Sequence, residues 1–164
     1  MSAAPDLIAP VVAFRGWKVI DDRLLSPYIP VRWEGRVMHA VCHPANRSLE
    51  FGRGWLAEPH PSPHPDCRCG IYAYHRAGFP SFHGEFAWTA GIVSCWGRIE
   101  AHADGLRAEH ARVEALSVHP AWGERRALDL ERIAARLGCD LVPFSELEDV
   151  APRYGEPLPV SLQP

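Results

Sequence analysis

The side chains most able to do chemistry are thiols and imidazoles gathered in one stretch. Five cysteines occur, Cys42, Cys67, Cys69, Cys95 and Cys139, among nine histidines. Cys67 and Cys69 end the segment His60-Pro61-Ser62-Pro63-His64-Pro65-Asp66-Cys67-Arg68-Cys69-Gly70, and Cys42-His43 stands upstream, followed by Pro44. An odd cysteine count in a chain whose first ten residues lack a charged-then-apolar leader does not read as a disulfide framework. Thiolate and imidazole together are the ligands zinc favours. The Cys-x-Cys spacing is tighter than the usual gap of two to four, but it can chelate where the chain bends, and Gly70 permits a bend. The surrounding prolines restrict the unfolded loop and so lower the entropy lost on ordering it. Iron–sulfur ligation is less consistent with the histidines.

Other chemistries fit poorly. A zinc deaminase needs His-x-Glu upstream of Pro-Cys-x-x-Cys; here His83-Gly84-Glu85 lies downstream and the cysteine gap is wrong. No phosphate loop, nucleophile–base spacing or dinucleotide fingerprint is present. A zinc hydrolase would need an open coordination position and a base, for which Asp66 or Glu85 are the candidates. Cys95 beside Trp96 and Cys139 after Gly138 read as buried, inert thiols. Glu100, His102, Arg107, Glu109, His110 and Arg112 read as a salt-bridged sheet face, with Arg107 and Glu109 opposite Arg98 and Glu100. The tryptophans read as core, with Trp122 stapling the chain ahead of a helix.

The chain that must position these groups has 164 residues, 47% of them hydrophobic and 23% charged. That is an ordinary globular balance, enough for one domain with a real core. A net charge of -3 argues against a strongly basic nucleic-acid binder. Arg15, Arg32, Arg36, Arg53, Arg68, Arg98 and Arg107 would have to converge on one face to make such a surface. Lys18 is the sole lysine, as GC-rich coding favours. No stretch has the roughly 20 apolar residues of a membrane span, so a cytoplasmic protein is expected.

Residues 1 to 10 form a loose leader, 11 to 155 one α+β domain, and 156 to 164 a proline-rich, frayed tail. Val11 to Ile20 is rich in β-formers, Asp21-Asp22-Arg23 is a turn, and Val37 to Cys42 is a strand delivering Cys42. The loop from 42 to 70 carries too many prolines for a helix or inner strand, so something such as a metal must tie it down. Ile71 to Tyr74 is a short strand. Gly91 to His119 reads as a hairpin around Ala103-Asp104-Gly105, although its return arm would also suit a helix. Glu124 to Leu137 is a helix with Ala127, Leu128, Leu130, Ile133, Ala134 and Leu137 on its apolar face and Gly138 as its stop. Leu141-Val142 adds a short strand, and Ser145-x-x-Glu148 signals a capped last helix. The fold class is α+β, mostly antiparallel: a curved sheet or partial barrel with one main C-terminal helix and a metal-tied loop.

The strings Asp66-Cys67-Arg68-Cys69-Gly70-Ile71-Tyr72-Ala73, Trp96-Gly97-Arg98-Ile99-Glu100 and Gly105-Leu106-Arg107-Ala108-Glu109 carry a resemblance. They are similar to blocks in a group of small proteins of actinobacteria and their phages. That group has a cysteine, then a histidine, then Asp-Cys-x-Cys-Gly-(Ile/Leu)-Tyr-Ala, followed by Trp-Gly-Arg and Gly-x-Arg-Ala-Glu strands. The likeness spans roughly residues 14 to 120 and implies architecture, since the group has no established activity. Its pattern implies Cys42, His60, Cys67 and Cys69 as the ligand set. His64, nearer to Cys67, is the alternative to His60, while His43 adjoins Cys42 and is awkwardly placed. The resulting expectation is a structural zinc in a non-catalytic binding or adaptor module for a protein or nucleic-acid partner. The alternative is a zinc-dependent hydrolase with an open metal site.

Overall fold

Three long strands carry the architecture. The computed structural model describes residues 9–29, 31–42, 59–78, 87–118 and 121–164. In chain order its elements are β1 (Val11–Ile20), β2 (Arg23–Leu25), β3 (Val37–His39), β4 (Ile71–Tyr74), β5 (Ala87–His102), β6 (Gly105–Val118), α1 (Glu124–Leu137), β7 (Asp140–Pro143), α2 (Leu147–Val150) and β8 (Glu156–Pro157). All eight strands belong to one sheet. β5 lies between β1 and β6, antiparallel to both. The far edge of β6 takes β4, β3 and then β7, the last in parallel. The far edge of β1 takes β8, β4 and β2. Because β4 touches both β6 and β1, at Phe14 opposite Tyr74, the sheet curls into a ring-like partial barrel.

Local chemistry explains the turns. Asp21 and Asp22 adopt φ values of 49° and 57°, the left-handed pair a two-residue hairpin requires, and aspartate tolerates that region. β5 and β6 join through Ala103-Asp104, with His102 paired to Gly105. Gly105 is needed because β4 passes so close that a Cβ there would overlap the Ala73 carbonyl. The return arm is a strand, not a helix: its edges are satisfied by β5 on one side and three short strands on the other.

Alternate residues of β1 face two cores. Val11, Ala13 and Trp17 join Leu24, Trp33, Val93, Cys95, Leu106, Val113 and Leu116 in the larger cluster. Trp17 and Trp33 meet edge to face at 5.4 Å, a favourable aromatic geometry. α1 adds Leu130, Ile133, Ala134 and Leu137 to this cluster, and Gly138 ends it in the left-handed conformation. Val12 and Phe14 face the other way, packing with Ala90, Ile92 and Ala115 under Leu147, Val150 and Ala151.

Four expectations need correction. Leu128, placed on the apolar face of α1, is 50% exposed, because the buried stripe runs through Leu130, Ile133 and Leu137. β3 ends at His39, since Ala40 makes the last ladder bond, to Glu109, and the chain then leaves the sheet edge. Ser145 caps nothing: a one-turn helix at Phe144–Glu146 precedes α2, whose N-cap position is held by Glu146 without a side-chain bond. The tail is tied down, because β8 pairs with β1 and Leu158 is buried in the larger core.

Candidate metal centre

The end of β3 and the loop ahead of β4 bring four donors together. The ligand atoms of Cys42, His60, Cys67 and Cys69 all lie within 4.8 Å of one another, so this cluster could hold a metal ion. Sγ of Cys42 lies 3.8 Å from Sγ of Cys67, and Nε2 of His60 lies 3.5 Å from Sγ of Cys69. A tetrahedral zinc with bonds of about 2.3 Å to sulfur and about 2.0–2.1 Å to nitrogen has sulfur–sulfur edges of about 3.8 Å and sulfur–nitrogen edges of about 3.6 Å. These two separations match such edges, and the other four lie within 4.8 Å. Cys67 and Cys69 are buried, whereas Cys42 and His60 are half-buried, and the donors follow β3 and precede β4, which end and begin opposite His110 and Ala108 of β6.

Local structure explains how a Cys-x-Cys pair converges. Cys67 donates its backbone N–H to the His64 carbonyl at 3.0 Å, turning the chain just before the pair. Gly70 has φ 127°, a conformation that side chains disfavour, and it sends the chain straight into β4. Burial pushes the Cys69 thiol up from its ordinary value. A buried thiol group of this kind becomes a thiolate ligand when a cation occupies the site.

Arg107 anchors the loop from below. It is buried in β6, opposite Tyr72 of β4 and Glu100 of β5. Its Nη1 donates to the carbonyl oxygens of both Cys67 and Cys69, its Nη2 pairs with Glu100 at 2.5 Å, and its Nε meets His102 Nε2 at 3.1 Å. Three thiolates and a divalent ion carry a net charge of −1, which a neighbouring guanidinium complements. Burial, and then the Arg107 charge, hold His102 below the usual histidine range. Arg98 adds a bond to the Pro63 carbonyl at 3.2 Å.

The other expected residues are placed as follows. His64 is outside the cluster, and its Nδ1 accepts the Asp66 backbone N–H at 3.2 Å. Asp66 is exposed. His43, Arg53, Trp55, His83 and Glu85 lie outside the described residues. Cys95 is fully buried, and burial pushes its thiol up to about 12. Cys139 is pushed up to about 11, again by burial first. The expected cross-strand pairing holds for Glu100 and Arg107, whereas Glu109 meets Arg98 only at its backbone. Glu100 pairs with Arg107, Arg112 pairs with Glu114 at 2.8 Å, and Glu109 accepts the Arg98 backbone N–H at 3.0 Å.

The arginines do not all stand free for a polyanion. Arg15 is buried between the Trp17 and Trp33 rings and bonds the Tyr72 carbonyl and Ser26. Arg36 pairs with Glu114 at 2.9 Å, and Arg107 is buried as described. Among the described residues no helix is long and apolar enough to cross a membrane.

The chain matches no protein-family model, no curated protein and no solved structure. Fold and site together define the class: an α+β protein with a ring-like partial barrel and a cluster of three cysteines and one histidine that could hold a metal ion.

Proposed function

We propose that this is a zinc-stabilised, non-catalytic binding module whose partner is another protein. The observation that carries the reading is the four-donor set of Cys42, His60, Cys67 and Cys69, all within 4.8 Å of one another. Four protein ligands close a zinc ion, leaving no position for water or substrate, and closed sites of this kind are structural. The ion would be held by Cys42, His60, Cys67 and Cys69 and would supply folding free energy to a loop otherwise rich in proline. The hydrolase alternative needs one of these donors to leave. A protein partner suits the chain better than nucleic acid because Arg15 and Arg107 are buried in the fold, Arg36 is paired with Glu114, and the net charge is -3. The likeness to the actinobacterial and phage group is in keeping with this reading.

The test is metal analysis of protein purified without added metal, alongside Cys67→Ser and Cys69→Ser. One zinc per chain, lost in both variants together with the folded circular-dichroism signal, supports a structural ion. One zinc lost without unfolding favours an open, functional metal. A stably folded, metal-free wild type overturns the proposal.

A further inference from the structure

A second cluster of donors lies on the exposed face of the sheet, outside the cysteine site. His39 of β3 and His110 of β6 are register partners. The backbone bonds from Ala40 to Glu109 and from Val113 to Arg36 flank them, which makes this a non-hydrogen-bonded pair, the kind whose side chains approach most closely. The two rings meet edge to face with centroids 4.7 Å apart, and Nδ1 of one lies 2.7 Å from Nδ1 of the other. One ring donates a proton and the other accepts it.

The surroundings resemble those of a ligating histidine more than those of a surface pair. Metal-bound imidazoles commonly turn their other nitrogen to a carboxylate, which orients the ring and raises its basicity. Oε1 of Glu109 lies 3.5 Å from Nε2 of His110, the nitrogen that faces away from His39. The backbone N–H of Arg98 holds the other oxygen of Glu109 at 3.0 Å, at the bulge where β5 and β6 lose register. Trp96, opposite His110 on β5, covers the ring from the side at 5.5 Å. Arg112, the nearest cation along β6, is engaged with Glu114 and leaves the pair free of a competing charge.

From this geometry we infer that His39 and His110 form a second, exchangeable metal site for a late first-row divalent cation. Coordination needs the donating ring to move its proton from Nδ1 to Nε2. Both Nδ1 lone pairs then face the ion, and no proton is released. Imidazole nitrogen suits Ni2+, Cu2+ and Zn2+ alike, and Ni2+ serves as the probe. The remaining positions would be taken by water or an incoming donor. The site shares no ligand with the cysteine cluster, so it stands or falls independently of the proposed zinc.

The experiment is calorimetric titration of NiCl2 into the full, tag-free chain, with its cysteine-bound metal measured before and after. The expected result is one Ni2+ per chain, bound at least about 10-fold more weakly after His39→Ala or His110→Ala and about 10-fold more weakly after Glu109→Gln. The cysteine-bound metal should be unchanged throughout. In the wild type, Ni2+ completed to six-coordination by water is paramagnetic and should broaden the Trp96 indole resonance first, a readout that needs no variant. No Ni2+ binding, binding unaffected by His39→Ala, or broadening that spares Trp96 would each overturn the inference.

Discussion

Nη1 of Arg107 lies 3.0 Å from the carbonyl oxygen of Cys69 and also bonds the carbonyl of Cys67, so one buried guanidinium holds the backbone of both halves of the Cys-x-Cys pair. The same side chain is neutralised by Glu100 from the opposite strand. The sheet register therefore determines where two of the four donors sit.

Replacing Arg107 should separate these roles. Arg107→Met keeps the stem but leaves two carbonyls and the Glu100 carboxylate without their partner. Breaking a buried ion pair from one side typically costs about 3–5 kcal/mol, and the partial exposure of Glu100 places the loss toward or below the lower end. Urea unfolding should show that loss, and a chelator should strip the metal faster than from wild type. Unchanged stability and metal retention would show the clamp to be dispensable.

Acid should weaken the fold partly through His102. Its folded pKa lies below the usual range, chiefly through burial and then through Arg107. The unfolded chain therefore binds the proton more readily, so this contribution is full above the ordinary histidine value of about 6.5 and is lost as pH falls through it. Thermal melts between pH 8 and pH 5 should show a decline that is shallower in His102→Gln. An identical slope in the variant would remove His102 from the account.

Cys95 should be chemically silent in the native state. The thiolate is the reactive form, and burial pushes this thiol up to about 12. Iodoacetamide at pH 8 should leave Cys95 unmodified in folded protein and label it in denaturant, as peptide mass spectrometry would report. Labelling of the folded chain would mean that the barrel opens at this position.

Two leucines should behave oppositely to their neighbours in sequence. Leu158→Ala, in a segment that reads as a tail, removes a buried side chain and should cost about 2–4 kcal/mol. Leu128→Ser, in the middle of α1, should change stability by no more than about 0.5 kcal/mol, because the side chain is half exposed. Chemical denaturation of both variants checks the pair, and a costly Leu128 substitution would point to a covered surface there.

Much of this protein is legible in the residues alone where the controlling interaction is local. The β-formers of Val11 to Ile20, the stripe from Leu130 to Leu137, the stop at Gly138 and the bend at Gly70 are all short-range effects of propensity, periodicity and backbone freedom. The ligand types were equally visible, because thiols and imidazoles concentrated among prolines have few structural uses. Tertiary structure decided what depends on register and on contacts far apart in the chain. It brought His60, and not His64, to the sulfurs. It buried Arg107 beneath them, docked Leu158 into the core and set His39 against His110 across 71 residues of sequence. A strand displaced by one residue turns every side chain to the opposite face, so no local pattern can state which distant groups will meet.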